Sequence, residues 1–215
     1  MLTAVTDEAS SDRWLDWLAT ALLALATVAT AWAAYQSRQW TGEQAQGYSH
    51  ATAKRIAVNR TAALANRQVQ IDVATFIQWV DANAHRDARL ADFYRSRFRD
   101  EFKPAFAAWL ATKPLTNPSA PATPFALPAY RLAASDEADN LDVSAAADSD
   151  RAKAANERSN NYMLAVVLFA SSVFFAGMSA KLRTRNARIT LLAIGCVLFF
   201  GTVAWLATLP VQLTT

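Results

Sequence analysis

YMLAVVLFASSVFFAGMSA (residues 162–180), KLRTRNAR (181–188) and ITLLAIGCVLFFGTVAWLATL (189–209) are the stretch on which the fold turns. Two uncharged apolar runs flank a short connection that holds Lys181, Arg183, Arg185 and Arg188 and no acid. A third uncharged run, WLATALLALATVATAWAAYQS, occupies residues 17–37. At 1.5 Å of rise per residue each run is about 30 Å long as a helix, the thickness of a hydrocarbon core. Soluble core helices of that length carry charges on one face. Here all 18 acidic and 21 basic residues lie outside the three runs. The chain is therefore expected to be all-α, with three transmembrane helices and a long extramembrane helical stalk or bundle between the first two.

The expected organisation runs from an N-terminal cytoplasmic segment (1–16) to the first span (17–37) and an external helical domain (38–161) with a proline-rich strap (114–128). The second span (162–180), the basic cytoplasmic loop (181–188), the third span (189–209) and an external tail (210–215) complete it. Short basic loops stay in the cytoplasm, whereas long segments translocate largely regardless of charge. Lys181, Arg183, Arg185 and Arg188 thus determine the topology, with residues 38–161 outside. The acidic N-terminus gives this orientation no help, and Arg38, Lys54 and Arg55 mildly oppose it. Trp14, Trp17, Tyr35, Trp40, Tyr162 and Trp205 stand at the ends of the runs, where interfacial aromatics belong. The first run could be a signal peptide, but Asp7, Glu8, Asp12 and Asp16 precede it against Arg13. Its length also exceeds a signal core of about 7–15 residues.

Between residues 36 and 80 there is no proline, and alanine dominates. The first span should continue as one long helix, weakest at Gly42 and Gly47, towards a more hydrophobic tip at Ile71, Val73, Phe76, Ile77 and Val80. A second helix is expected at about 86–110, from Leu90, Tyr94, Phe98, Phe102, Phe106 and Leu110 at four-residue steps, with Pro104 kinking or splitting it near Lys103. Prolines 114, 118, 121, 124 and 128 favour an extended, semi-rigid connector. After Tyr130 a return helix should feed directly into the second span. The long helices leaving and re-entering the bilayer would pair as an antiparallel, coiled-coil-like stalk.

Chemistry-bearing residues are sparse. His50 and His85 have no second ligand at helical spacing, which reads as ordinary surface histidine and not as a metal site. Cys196 lies in an apolar run with no partner base and reads as inert. The acids Asp136, Glu137, Asp139, Asp142, Asp148 and Asp150 lack the turn glycine and terminal glutamate of a calcium loop, so a solvated helix face is the reading. Arg86, Arg89, Arg95, Arg97, Arg99 and Lys103 lie among phenylalanines, but Asp87, Asp92, Asp100 and Glu101 dilute them, which argues against nucleic acid. Arg95, Arg99 and Lys103 stack like charges along one helix, and the acidic return segment is their expected neighbour. No enzyme activity and no cofactor are expected.

The first span is more informative. Thr20, Ala24, Thr27, Ala31 and Ala34 form a seam of small residues at alternating four- and three-residue steps. In lipid, helices associate through close approach at small residues and through threonine hydroxyls. The seam could pack on the small faces of the other spans (Ser172, Ala176, Ser179; Gly201, Ala204, Thr208), or join copies of the chain, or line a pore in an oligomer. The partners expected are the lipid bilayer, further copies of the chain and possible other membrane proteins. Two functions follow: an oligomeric structural, accessory or sensing component of the membrane, or a homo-oligomeric ion channel.

Trp32-Ala33-Ala34-Tyr35-Gln36, Trp40-Thr41-Gly42-Glu43-Gln44-Ala45, Ile71 through Trp79, Leu115-Thr116-Asn117-Pro118, and Leu164 through Ala170 running on to Lys181-Leu182-Arg183 together resemble an uncharacterised family of bacterial three-span inner-membrane proteins. The resemblance covers nearly the whole chain and implies three spans and a bacterial cytoplasmic-membrane location. It carries no functional residues, because none is assigned in that family.

The orientation is directly testable. In a Cys196→Ser background, a cysteine at Ser119 should react with an impermeant thiol reagent on intact cells, and one at Asn186 should be spared. The reverse pattern would invert the topology.

Overall fold

The computed structural model describes residues 3–212 apart from Leu115, with side chains from Arg13 onward. The side chains of Asp7, Glu8 and Asp12, the start of the Leu115 motif and residues 213–215 of the tail lie outside the described residues. The chain is an all-α membrane protein. Among the described residues the α-helices are α1 (Thr3–Ala84), α2 (Ala88–Ser96), α3 (Lys103–Ala111), α4 (Ala133–Ser179) and α5 (Arg185–Leu206). α1, α4 and α5 each contain a stretch long and apolar enough to cross a membrane.

α1 runs unbroken for 82 residues, through Gly42 and Gly47. Nothing in the sequence stops it: no proline occurs before residue 104, and alanine keeps the helical propensity high. α4 likewise runs from the end of the proline-rich connector into the second apolar run without a break, as expected.

The residues form two compact units. One gathers the described residues up to Tyr48 and from Ser149 onward, and the other is Ser49–Asp148. In the first, Leu15, Ala19, Leu22, Ala26 and Ala33 of α1 are buried with Ala165, Phe169 and Ala176 of α4 and Leu192 and Phe199 of α5. α5 approaches both α1 and α4 closely at Gly195. A Cβ there would lie 3.2 Å from Leu22 Cδ2, and Ser172 Oγ donates to Gly195 O at 2.8 Å. Ser172, Ala176 and Ser179 are buried as the small-face reading expects, whereas Gly201 and Ala204 are exposed. Gly195 and Thr202 take their place.

In the second unit, the core is aromatic. Phe76 and Trp79 of α1 pack against Phe98, Phe102, Phe106 and Trp109, with Phe125 and Tyr130 of the connector at its edge. Phe125 stacks on Phe102 with centroids 5.1 Å apart, and Trp109 Nε1 donates to Pro121 O at 2.7 Å. The connector is therefore pinned, with a short 3-10 turn at Pro124–Ala126, and is not simply extended. Of the expected hydrophobic tip Phe76 is buried, with Trp79 beside it, and Val73 is half-buried; Ile71, Ile77 and Val80 are exposed.

Two expectations need correction here. The helix expected over 86–110 is split, as expected from Pro104, but the break lies at 97–102, ahead of the proline. α2 ends at Ser96, and α3 starts at Lys103 with Pro104 in its first turn, where the missing N–H is no loss. Turning the chain at 97–102 lets Phe98 and Phe102 both enter the core, which a straight helix with exposed Leu90 and Phe93 would not achieve. The same break dissolves the row Arg95, Arg99 and Lys103. Arg99 pairs with Asp72 and Glu101, and Lys103 with Asp100, so neither meets the acidic return segment. That segment takes its cations elsewhere: Lys54 for Asp148, Arg131 for Asp136 and Lys153 for Asp150.

α1 ends in a helix-terminating turn whose left-handed residue is Arg86, at φ 60°. Asp87 N bonds Ala82 O at 3.0 Å and Arg86 N bonds Asn83 O at 3.1 Å, the paired bonds of a Schellman motif. Asp87 then caps α2 by accepting from Leu90 N. A side chain in the left-handed region is strained, and Arg86 is exposed, so glycine should suit the position better. Arg86→Gly is expected to raise stability by about 1 kcal/mol in urea unfolding. A loss of stability would show that the arginine makes a contact worth more than the strain.

Candidate functional site

The small-residue seam of α1 is left open by the chain's own packing. Leu15, Ala19, Leu22, Ala26 and Ala33 face α4 and α5, and Thr20, Ala24, Thr27 and Ala31 on the other side of the helix are exposed. Ala34 is half-buried. Thr20 Oγ1 donates to Asp16 O at 2.8 Å and Thr27 Oγ1 to Leu23 O at 2.7 Å. Both hydroxyl protons are thus spent on the helix itself, and only oxygen lone pairs and methyl groups remain on that face.

At the far end of the same apolar run lies a cluster of neutral polar groups. Gln36 is fully buried. Its Nε2 donates to Gln212 O at 3.0 Å, and its Oε1 accepts from Gln212 N at 3.0 Å. The amide copies a strand partner and fastens the tail to α1. Tyr162 Oη donates to Pro210 O at 3.2 Å beside it. One turn on, Ser37 and Ser159 bridge α1 and α4, with hydroxyls 3.1 Å apart and Ser159 Oγ donating to Ser37 O at 3.0 Å. Thr41 joins them at 2.9 Å from Ser159 Oγ. The Arg158 guanidinium lies 4.5 Å from the Trp40 ring centroid, a cation–π contact.

The topology residues divide. Lys181, Arg183 and Arg185 are exposed, while Arg188 is half-buried and pairs with Asp16 of α1. One charge of the basic loop is therefore matched within the chain by an acid of the preceding segment.

The strongest electrostatic feature lies in the Ser49–Asp148 unit. Asp72 is fully buried in α1. Its Oδ2 accepts from Arg99 Nη1 and from Tyr130 Oη, both at 3.0 Å. Arg99 also bonds Glu101, whose Oε1 accepts from Ala133 N at the start of α4 at 3.1 Å. One guanidinium thus serves two carboxylates and ties α1, the 97–102 turn and α4 together. Among the described residues Asp72 Oδ1 has no hydrogen-bond partner. Burial pushes the Asp72 carboxyl above the usual aspartate range, against the opposing pull of Tyr130 and Arg99. Burial, and then the Asp72 carboxylate, push the Tyr130 phenol well above its ordinary value.

No family model, curated protein or solved structure matches the chain. Among the described residues no group of three or more His, Cys, Asp or Glu is placed to hold a metal ion. His85, in the turn after α1, contacts Asp81 at the end of that helix, and Cys196 is half-buried.

Gln36, Asp72 and Ser159 did not stand out from residue type alone, and Asp148, expected on a solvated acidic face, is instead buried against Lys54. A signal for them exists in the seven-residue phase. Asp72 continues the series Ala51, Val58, Ala65 and precedes Trp79, and Gln36 continues Leu15, Leu22 and Ala29. A polar residue on a buried stripe requires a partner.

The Asp72 network gives a measurable sign. A carboxyl whose folded pKa is raised favours the folded state most when protonated. Its contribution is fully present below the unfolded aspartate range and is lost as pH rises through the folded value. The stability of the wild type relative to Asp72→Asn should therefore be greatest at acid pH and decline towards neutrality in denaturant melts. Arg99→Ala, which strands a buried carboxylate, should cost about 3 kcal/mol near neutral pH. A smaller loss than in Tyr130→Phe would remove Arg99 from the centre of the network.

Proposed function

We propose that this chain is a self-associating structural component of the bacterial cytoplasmic membrane, one that displays residues 38–161 on the outer side for scaffolding, accessory or sensing roles. The N-terminus and the 181–188 loop are cytoplasmic in this reading. The observation that carries it is the open seam. A face of Thr20, Ala24, Thr27 and Ala31 that the chain does not use for its own packing is suited to close contact with another helix in lipid. Aliphatic side chains would cover such a face if lipid were its only neighbour, as Leu25 and Val28 do beside it.

The bonding of Thr20 and Thr27 to their own helix favours a helix contact over a polar pore lining, and the spans hold no ionisable residue of the kind that marks most ion pathways. A homo-oligomeric channel remains the reading that would follow if the assembled protein conducts.

The mass of the protein in lipid discs decides the matter. An oligomer is expected, and Thr27→Leu and Ala31→Leu should each weaken it by about 1–3 kcal/mol through overpacking, with Leu25→Val neutral. A monodisperse monomer would end the proposal. Current through reconstituted oligomers that changes with Thr27→Leu would replace the structural reading with the channel.

A further inference from the structure

Within the Ser49–Asp148 unit, α1 and α4 carry outward faces that no other described residue covers. On α1 the face is Ile56, Arg60, Leu64, Arg67 and Ile71, with Ile56 48%, Leu64 48% and Ile71 46% exposed. On α4 it is Asp139 and Val143, and Val143 is 73% exposed. Arg60, Arg67 and Asp139 make no ion pair among the described residues, although their helices pair charges elsewhere. One face is apolar and basic, and the other is apolar and acidic.

Their levels correspond. Within the Ser49–Asp148 unit Lys54 meets Ser144 and Asp148, at 2.6 and 2.7 Å, and Ala65 packs with Leu132 and Ala134. Residues lying between these contacts are level by interpolation: Ile56 with Val143, and Arg60 with Asp139. Inside one chain these four side chains point away from each other. Identical chains anchored in one bilayer hold equal residues at equal depth, so the same levels hold between neighbours. When α1 of one copy lies beside α4 of the next, Arg60 comes opposite Asp139 and Ile56 opposite Val143.

We infer that these two faces are the halves of a head-to-tail contact between copies of this chain, with the basic face of α1 docking on the acidic face of α4 of its neighbour. Charge excludes the symmetric arrangement. Because the two faces point away from each other, a two-fold axis normal to the membrane would bring a face against its own copy, Arg60 against Arg60 or Asp139 against Asp139, and like charges at equal depth repel. A heterologous contact of this kind closes into a ring or extends as a row. The inference rests on the self-association proposed above, and adds its polarity and register.

Mixed cross-linking tests it in the full-length protein. Two differently tagged chains, each carrying Cys196→Ser, are co-expressed, one with Arg60→Cys and the other with Asp139→Cys, and the membranes are treated with a short bifunctional maleimide. A covalent dimer bearing both tags is expected, and the pair Ile56→Cys with Val143→Cys should give another. Arg60→Cys with Asp150→Cys, out of register by three helical turns, should give at least tenfold less. Arg60→Glu should reduce the Ile56–Val143 product several-fold, and Asp139→Arg in the neighbour should restore it. A predominant Arg60–Arg60 product, or equal yields in and out of register, would overturn the contact. An oligomer in lipid without either in-register product would overturn it while leaving self-association through the span standing. A monomer in lipid would remove both.

Discussion

The contact between α1 and α4 is the constraint on which the rest of the molecule depends, and it is made largely of alanine. Ala19, Ala26 and Ala33 recur at seven-residue intervals on the buried side of α1, and Ala138, Ala145 and Ala152 do so on α4. A strict seven-residue repeat keeps a seam facing its partner along a helix pair. Alanine on both sides lets the backbones approach to the short end of the usual interaxial range. Such a seam buries little apolar area per residue, at about 25 cal/mol per Å². It can still hold because alanine has the highest helix propensity and sacrifices no side-chain entropy. What alanine cannot supply is register. A smooth seam could slide by one repeat and lose little.

Register comes from the few positions where the repeat is interrupted by something that must be matched. Gln36 and Ser37 fasten one region, Lys54 with Asp148 and Ser144 another, and Asp72 with Arg99 and Tyr130 a third. Each would leave a buried polar group unpaired if the helices slipped, at a cost of about 1–3 kcal/mol. The aromatic core at Phe76 and Trp79 adds shape to the same end. Strength and specificity are therefore divided between different residues, with alanine supplying length and closeness and a handful of polar and aromatic side chains supplying the unique pairing.

The three spans, the unbroken α1 and the return helix were legible because each rests on a local quantity: absence of charge over about 20 residues, absence of proline, and helical propensity. The direction in which α1 turns its faces was not. Thr20, Ala24, Thr27 and Ala31 are as suitable for packing as Ala19, Ala26 and Ala33, and both stripes keep the same spacing. The choice is settled by the large residues between them: Leu15 and Leu22 share the stripe of Ala19 and Ala26, and that stripe packs with Phe169, Leu192 and Phe199. The early break at 97–102 was hidden for a similar reason. Pro104 is a visible stop, but the chain turns sooner because Arg99 must reach Asp72 while Phe98 and Phe102 enter the core.

The chemistry of the buried polar groups follows the surroundings of each unit. In the part that contains the apolar runs, the contacts that tie the helices and tail together are neutral: Gln36, Ser37, Ser159 and Ser172. Ion pairs there, Arg188 with Asp16 and Lys153 with Asp150, lie outside the runs. Ionised contacts that bury a charge, Asp72 with Arg99 and Asp148 with Lys54, belong to Ser49–Asp148. A charge at the centre of a bilayer costs about 2.5–3.5 kcal/mol even on the lowest scales, whereas a buried carboxylate outside it can be held by one guanidinium and a phenol. A neutral amide such as Gln36 fixes the tail equally well at any pH. Asp72, sharing one arginine with Glu101, does not have that indifference. The pH dependence expected of the Asp72 network thus belongs to the helical unit Ser49–Asp148.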